Sequence, residues 1–494
     1  MNMMDTRLNP SFYTWVCGFL IISIILYRLG TTTADIDLWG YLAFGRLFWE
    51  QGRFPYRDVF SYVPTLDHWV YHEWLTGVLF YPLYQKFGGP GLQALKYAMG
   101  LATLWLSYAA ARRRHGSAIG AGLLLVMMAG GFRTGFTPVR AQVFTYFFFA
   151  LTLFVLENYR INRSRHTFLL LGLVFVVWAN LHGGFVAGLG LIGLYALGEA
   201  LSRRHFRPYV ALLGLTALVT MINPYGWRYW AYLVNALTMP RPEITEWASM
   251  YKAFCQGTYG LIDLGYVFCF ALFSLLIYRR EVPKDLTSLI MLGVTFAISI
   301  KNIRNLPFFL LASGVYLPGA CKYFEEDLKV RFPDGLAPRF RSLLMASLLV
   351  TSIFLAAGFL RLAPFSLKLP DAPKTATDSN YYPVGAIRYL QDNKLSGNLL
   401  VYFDWGEYAL WNLYPHCRVA IDGRYETVYP HAVCREYFDF IMARSNWGQF
   451  LQRFPHNFIL LPANIEVTAL LKKESGWKVS YSDKGCILFQ KNPG

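Results

Sequence analysis

Acidic residues are scarce in this 494-residue chain: 30 Asp and Glu stand against 46 Lys and Arg, and charged residues make up only 15% of it. So thin a polar coat excludes a soluble enzyme with one greasy anchor. The 55% hydrophobic and 17% aromatic content and the mean hydropathy of +0.32 point the same way. Cysteine is sparse too, seven residues with no CxxC pair, which argues against a structural zinc site or a disulfide-rich scaffold. Cys417, Cys434 and Cys486 lie in a polar tail, where one pair could oxidise if that tail is extracytoplasmic. The first apolar run, 12–29, lacks the short core and small-residue cleavage site of a leader and reads as a retained span. No internal repeat and no low-complexity tract is present. The net charge of +16 would suit nucleic acid, but the cations fall in short clusters between apolar runs, with no aromatic-interleaved surface. Nucleic acid is therefore not expected as a partner.

What the chain does have is apolar runs throughout its first 362 residues. After 12–29 they fall at 92–111, 117–132, 141–159, 167–181, 184–201, 208–223, 259–278, 285–301, 305–320 and 341–362, where a crossing takes roughly 20 residues. Alternate connections carry Arg112-Arg113-Arg114, then Arg160, Arg163 and Arg165, then Arg203, Arg204 and Arg207, then Arg279, Arg280 and Lys284, and finally the 322–341 loop. With these cytoplasmic, the N-terminus is inside, about eleven helices cross, and everything after Leu362 is outside. The stretch 73–87 is apolar but short and stops at Gly88-Gly89-Pro90-Gly91; if it crosses, the count becomes about twelve or thirteen. Pro364, Pro370 and Pro373 mark a linker, 363–380. From 381 to 494 short strands and helices alternate, which predicts a small α/β domain. The expected layout is a polytopic α-helical domain over 1–362 with its first outer loop at 31–90, the linker, and an extracytoplasmic α/β domain.

The unusual polar residues gather in the outer connections. Asp35 and Asp37 follow the first span directly, and Glu73 with His72 closes the same loop. Two acids at a membrane surface lose hydration and repel one another, so a proton, a cation or a substrate has to compensate. One such carboxylate can serve as the base of a sugar transfer. Asp35 and Asp37 could instead hold a divalent cation, Mg or Mn, through hard oxygen ligands, or merely cap a helix at 38–50. Arg133, Arg140, Lys301 and Arg304 break the orientation rule on the outer side. Guanidinium forks there match phosphate oxygens, the alternative being side chains that reach for headgroups. In Trp178-Ala-Asn180-Leu-His182-Gly-Gly-Phe185, Asn180 and His182 could donate to a sugar hydroxyl, or the glycines could simply make a tight turn. Glu243 and Glu246 could line the same cavity. In the tail, Asp404-Trp405-Gly406-Glu407-Tyr408 and Asp422-Gly423-Arg424 each follow a predicted strand, with a role in structure or acceptor docking.

In order along the chain, Asp35-Ile-Asp37-Leu-Trp39, Phe54-Pro55-Tyr56-Arg57-Asp58-Val59-Phe60-Ser61-Tyr62, His72-Glu73-Trp74-Leu75, the Trp178–Phe185 stretch, Asn223-Pro-Tyr-Gly226, Glu246-Trp247, Arg304-Asn305 and Asp422-Gly-Arg424 resemble a bacterial branch of the C-type (GT-C fold) integral-membrane glycosyltransferase superfamily. The resemblance implies an inner-membrane enzyme that takes sugar from a polyprenyl-phosphate donor at the outer face, inverting the anomeric carbon. It further implies a catalytic Asp in the first outer loop, Asp35 or Asp37, and basic residues for the lipid phosphate. The Trp-Trp-Asp-Tyr-Gly motif of oligosaccharyltransferases and the His-Pro-Pro-Leu-Gly-Lys stretch of protein O-mannosyltransferases are missing, which leaves glycan, lipid and protein acceptors open. The rival reading is a transporter or a non-catalytic lipid-handling protein. Polar groups clustered at one face, with no second related half, speak against transport.

Overall fold

The computed structural model describes residues 10–131, 138–239, 247–255, 257, 285–331, 337–373 and 381–492. The described chain is mostly helical with one small sheet, and its packing divides it into two compact units.

The first unit comprises Met1–Thr32, Gln93–Pro224 and Thr238–Phe365. Its helices Pro10–Leu29 and Pro338–Arg361 pack against each other. Among the described residues these two are long and apolar enough to cross a bilayer. Beside them stand shorter apolar helices at Gly120–Ala129, His166–Leu181, Phe185–Leu201, Arg207–Val219 and Leu286–Lys301; the expected span at 259–278 lies outside the described residues. Leu169, Leu218, Leu343 and Phe354 are more than half exposed, a surface that water penalises and hydrocarbon accepts. Proline opens Arg207–Val219, Leu306–Tyr316 and Pro338–Arg361, where its missing N–H costs nothing.

Charge is buried where helix ends of this unit meet. Arg160, near the end of Gln142–Asn162, grips Asp285 with two bonds of 2.8 and 2.9 Å and reaches Glu199 at 2.9 Å. Arg114 binds Glu157 at 2.8 Å and Asp285 at 3.0 Å. Tyr195 donates to Glu157 at 2.6 Å and meets the Tyr316 hydroxyl at 2.8 Å. The Ser288 hydroxyl donates to Asp285 as well, at 2.6 Å.

The second unit comprises Thr33–Leu92, Tyr225–Leu237 and Ser366–Gly494. Its sheet has the order β2-β1-β3-β5-β4, with β1 Gly397–Val401, β2 Cys417–Val419, β3 Phe458–Pro462, β4 Trp477–Ser482 and β5 Cys486–Lys491. β2, β1 and β3 run parallel, and β5 and β4 antiparallel, with Leu399 opposite both Val419 and Phe458. The uninterrupted apolar β3, buried at every residue, is what a central strand covered on both faces requires. At the β2 edge the early chain adds itself to the sheet. Tyr62 N–H donates to the Val419 carbonyl at 3.2 Å, and Val419 N–H donates to the Phe60 carbonyl at 3.0 Å. The edge is thereby covered. Ala34 N–H donates likewise to Lys368, at 2.9 Å. Cys417, Cys434 and Cys486 are buried, and among the described residues no disulfide joins any two of them.

Candidate functional site

Asp37 stands at the N-terminus of the helix Leu38–Gln51, where an acid ordinarily caps, yet its side chain makes no capping hydrogen bond. The capping alternative for Asp37 is thereby corrected. Asp35 turns inward on the local backbone instead, its Oδ1 accepting the Asp37 N–H at 3.2 Å. The cap comes from far along the chain: Glu407, on the helix Gly406–Leu413, accepts the Gly40 N–H at 2.9 Å with Oε2.

Three glycines let the carboxylates come so close. A Cβ on Gly40 would strike the Glu407 carboxylate, and one on Gly406 would lie 2.5 Å from the Asp422 Cβ. A Cβ on Gly423 would sit 2.9 Å from Glu407 Oε1 and 3.3 Å from Asp37 Oδ1, so both oxygens converge on one point beside Gly423. The Gly of Asp422-Gly-Arg424 is therefore needed for close approach as well as for a turn. Burial, then the charges of Asp37 and Asp422, hold the Glu407 carboxyl well above the usual carboxylate range, against the pull of Arg424 and the Gly40 N–H. Burial and the Asp37 charge push Asp404 up to about 6.

Behind this group lies an ion cluster. Arg424 donates to both oxygens of Asp422, at 2.8 and 2.6 Å, and to Asp58 Oδ1. Its guanidinium lies over Phe60 and Trp69, 5.0 and 4.9 Å from the ring centres. Tyr429 donates to Asp422 at 2.6 Å, and the Ser61 N–H donates to Asp58 at 2.8 Å. Asp422, Arg424 and Asp58 are essentially inaccessible to solvent.

His72 stacks on Tyr232 with 5.6 Å between ring centres, its Nδ1 3.2 Å from the Tyr232 hydroxyl and its Nε2 3.7 Å from Glu73. Asp35, Asp37, His72 and Glu73 thus share one compact unit.

Asn180, His182, Arg140, Lys301 and Arg304 belong to the first unit. The Asn180 amide nitrogen donates to the carbonyls of Val176 and Ile222, at 2.7 and 2.8 Å, one on its own helix and one past the end of Arg207–Val219. His182 Nδ1 accepts the Gly184 N–H at 2.8 Å and meets Thr145 Oγ1 at 2.7 Å, which leaves the ring proton on Nε2. Arg140 lies just before Gln142–Asn162, and Lys301 ends Leu286–Lys301. Arg304 lies over Trp247, 5.2 Å from its ring centre. Arg133, Glu243 and Glu246 lie outside the described residues. Lys96 was not among the expected residues. It is buried, and its Nζ donates at 2.7 Å to the Thr31 carbonyl, just past the end of Pro10–Leu29. A lysine within an apolar run was the signal for it. Asp58 and Glu407 were also missed as members of the acid group. Among the described residues no group of three or more His, Cys, Asp or Glu side chains is arranged to hold a metal ion.

Comparison with protein-family models and with curated proteins gives no match. Solved structures do match. ArnT from Cupriavidus metallidurans bound to undecaprenyl phosphate is similar with a TM-score of 0.54 and 14% identity, over 96% of this chain and 98% of that one. ArnT from the same organism in the apo state is similar with a TM-score of 0.51 and 14% identity, over 97% and 98%. This likeness shows that the chain shares the fold of ArnT, which agrees with the resemblance read from the motifs.

Proposed function

We propose that this protein is an integral-membrane glycosyltransferase of the bacterial inner membrane, transferring a sugar from a polyprenyl-phosphate or pyrophosphate donor to an acceptor at the outer face. Asp37 is the base. It removes the proton of the acceptor hydroxyl as that oxygen attacks the anomeric carbon from the face opposite the phosphate, and the carbon–oxygen bond to the lipid phosphate breaks with inversion. One observation carries the choice of Asp37 over Asp35: its carboxylate heads a helix that Glu407 caps, whereas Asp35 accepts a local backbone N–H. The donor class rests on the GT-C fold and on the undecaprenyl phosphate bound by the similar ArnT.

Arg133, Arg140, Lys301 and Arg304 are the phosphate-holding residues of this reading, and Lys96 joins them as a buried cation. Glu73 and His72, in the unit that carries Asp37, shape the sugar site of this reading. No step is routed through a divalent cation. The acceptor, whether glycan, lipid or protein, is identified by mass spectrometry of envelope lipids, glycans and surface proteins from cells with and without the gene. A glycoform that disappears with the gene, returns with the wild-type protein and does not return with Asp37→Asn supports the assignment. Full restoration by both Asp37→Asn and Asp35→Asn removes the base from this loop.

A further inference from the structure

Helix Leu38–Gln51 starts with an Asp that does not cap it, and the bond at its third residue is made by a carboxyl brought in from Gly406–Leu413. A helix start leaves four N–H groups without intrahelical partners, and an N-terminal Asp normally takes one of them. Were Asp37 to do so, its carboxylate would turn onto its own helix and give up much of its capacity to accept a proton from outside. Glu407 removes that competition. Its Oε2 holds the Gly40 N–H, and its Oε1 occupies the space against Gly423 on which Asp37 Oδ1 also converges. The Asp37 carboxylate is thus kept off the helix by occupancy on one side and bounded on the other by a backbone that only glycine allows to come so near. Glu407 is itself buried, and its helix packs directly on Leu38–Gln51, so the bond is sheltered from competition by water.

We propose that Glu407 is a positioning residue for the transfer: by capping the Asp37 helix from a distant part of the chain, it keeps the Asp37 carboxylate off its own helix N-terminus, where it serves as base. The proposal rests on the reading of Asp37 given above. What it requires of Glu407 is an acceptor oxygen in a fixed place, which a glutamine supplies and an alanine or leucine does not.

The test uses full-length protein in detergent or nanodiscs, with a panel of synthetic polyprenyl-phosphate hexoses and pentoses as donor probes. Two readouts are taken: the kinetics of polyprenyl phosphate release, and hydrogen–deuterium exchange of the peptide covering residues 38–42. Glu407→Ala and Glu407→Leu are expected to lower kcat by about 100-fold, the scale of a misplaced reacting group, with KM for the lipid donor within about 2-fold. Both should raise exchange in the 38–42 peptide. Glu407→Gln is expected to restore protection and to return kcat to within about 5-fold of wild type. Equal kcat loss in Glu407→Gln and Glu407→Ala overturns the proposal, because an acceptor oxygen then does not suffice. Unchanged exchange in Glu407→Ala overturns it whether or not any donor in the panel turns over. The base reading fails separately: Asp37→Asn, with normal 38–42 protection, would then retain wild-type turnover.

Discussion

Arg424 is held by two carboxylates and two aromatic faces, and removing it strands both acids away from water. Arg424→Met keeps much of the volume and loses the charge. It should destabilise the protein by about 3–5 kcal/mol, the cost of an uncompensated buried ion pair, measured by thermal or chaotrope unfolding of the purified protein. Asp404 gives the opposite case. Its folded pKa, about 6, lies above its ordinary 3.8, so the folded state favours the protonated form. Stability attributable to this group is full below about pH 4 and declines as pH rises through 6. Asp404→Asn, which mimics the neutral acid, should therefore melt higher than wild type at pH 7.5 and match it at pH 4. At this scale the sequence showed which residues were unusual and hid whom they meet. Asp-Gly-Arg stood out as a motif, but the partner of Arg424, Asp58, lies 366 residues away, and Glu407 caps a helix 367 residues away. No local pattern encodes either pairing.

Among the elements, apolar periodicity and turn residues carried most of the information. Short strands in the tail were readable because β1 and β3 are runs of Leu, Ile and Val bounded by turns. The kink at Gly88 was marked by the Gly-Gly-Pro run, although the chain bends there and continues as helix through Arg113. Helix-end charges were legible only as topology markers. Arg114 and Arg160 looked like orientation signals, yet both enter a buried network with Glu157, Glu199 and Asp285 that ties several helices together. Asp285→Asn weakens the bonds to Arg160 and Arg114 and should lower stability by about 2–3 kcal/mol, measured by unfolding of the purified protein.

For the whole molecule, the repeated apolar runs and the ordered motifs led to the GT-C type, and the likeness to ArnT over nearly all of the chain agrees with that fold. The association of residues 33–92 with the chain after Ser366 was not legible, because it is made by isolated backbone bridges, Thr33 with Lys368 and Ser61 with Val419, and by single long-range bonds such as Glu407 to Gly40 and Arg424 to Asp58. Such bridges leave no periodic trace in either partner. The central claim, sugar transfer from a lipid phosphate with Asp37 as base, is tested most directly by mass-spectrometric detection of free polyprenyl phosphate. Purified wild-type protein and Asp37→Asn are each incubated with polyprenyl-phosphate-linked sugars and an envelope extract as acceptor. The account expects release by wild type and a rate lower by about 100-fold or more in an Asp37→Asn protein of equal melting temperature. Equal rates in the two proteins, or no release by wild type from any such donor, would contradict it.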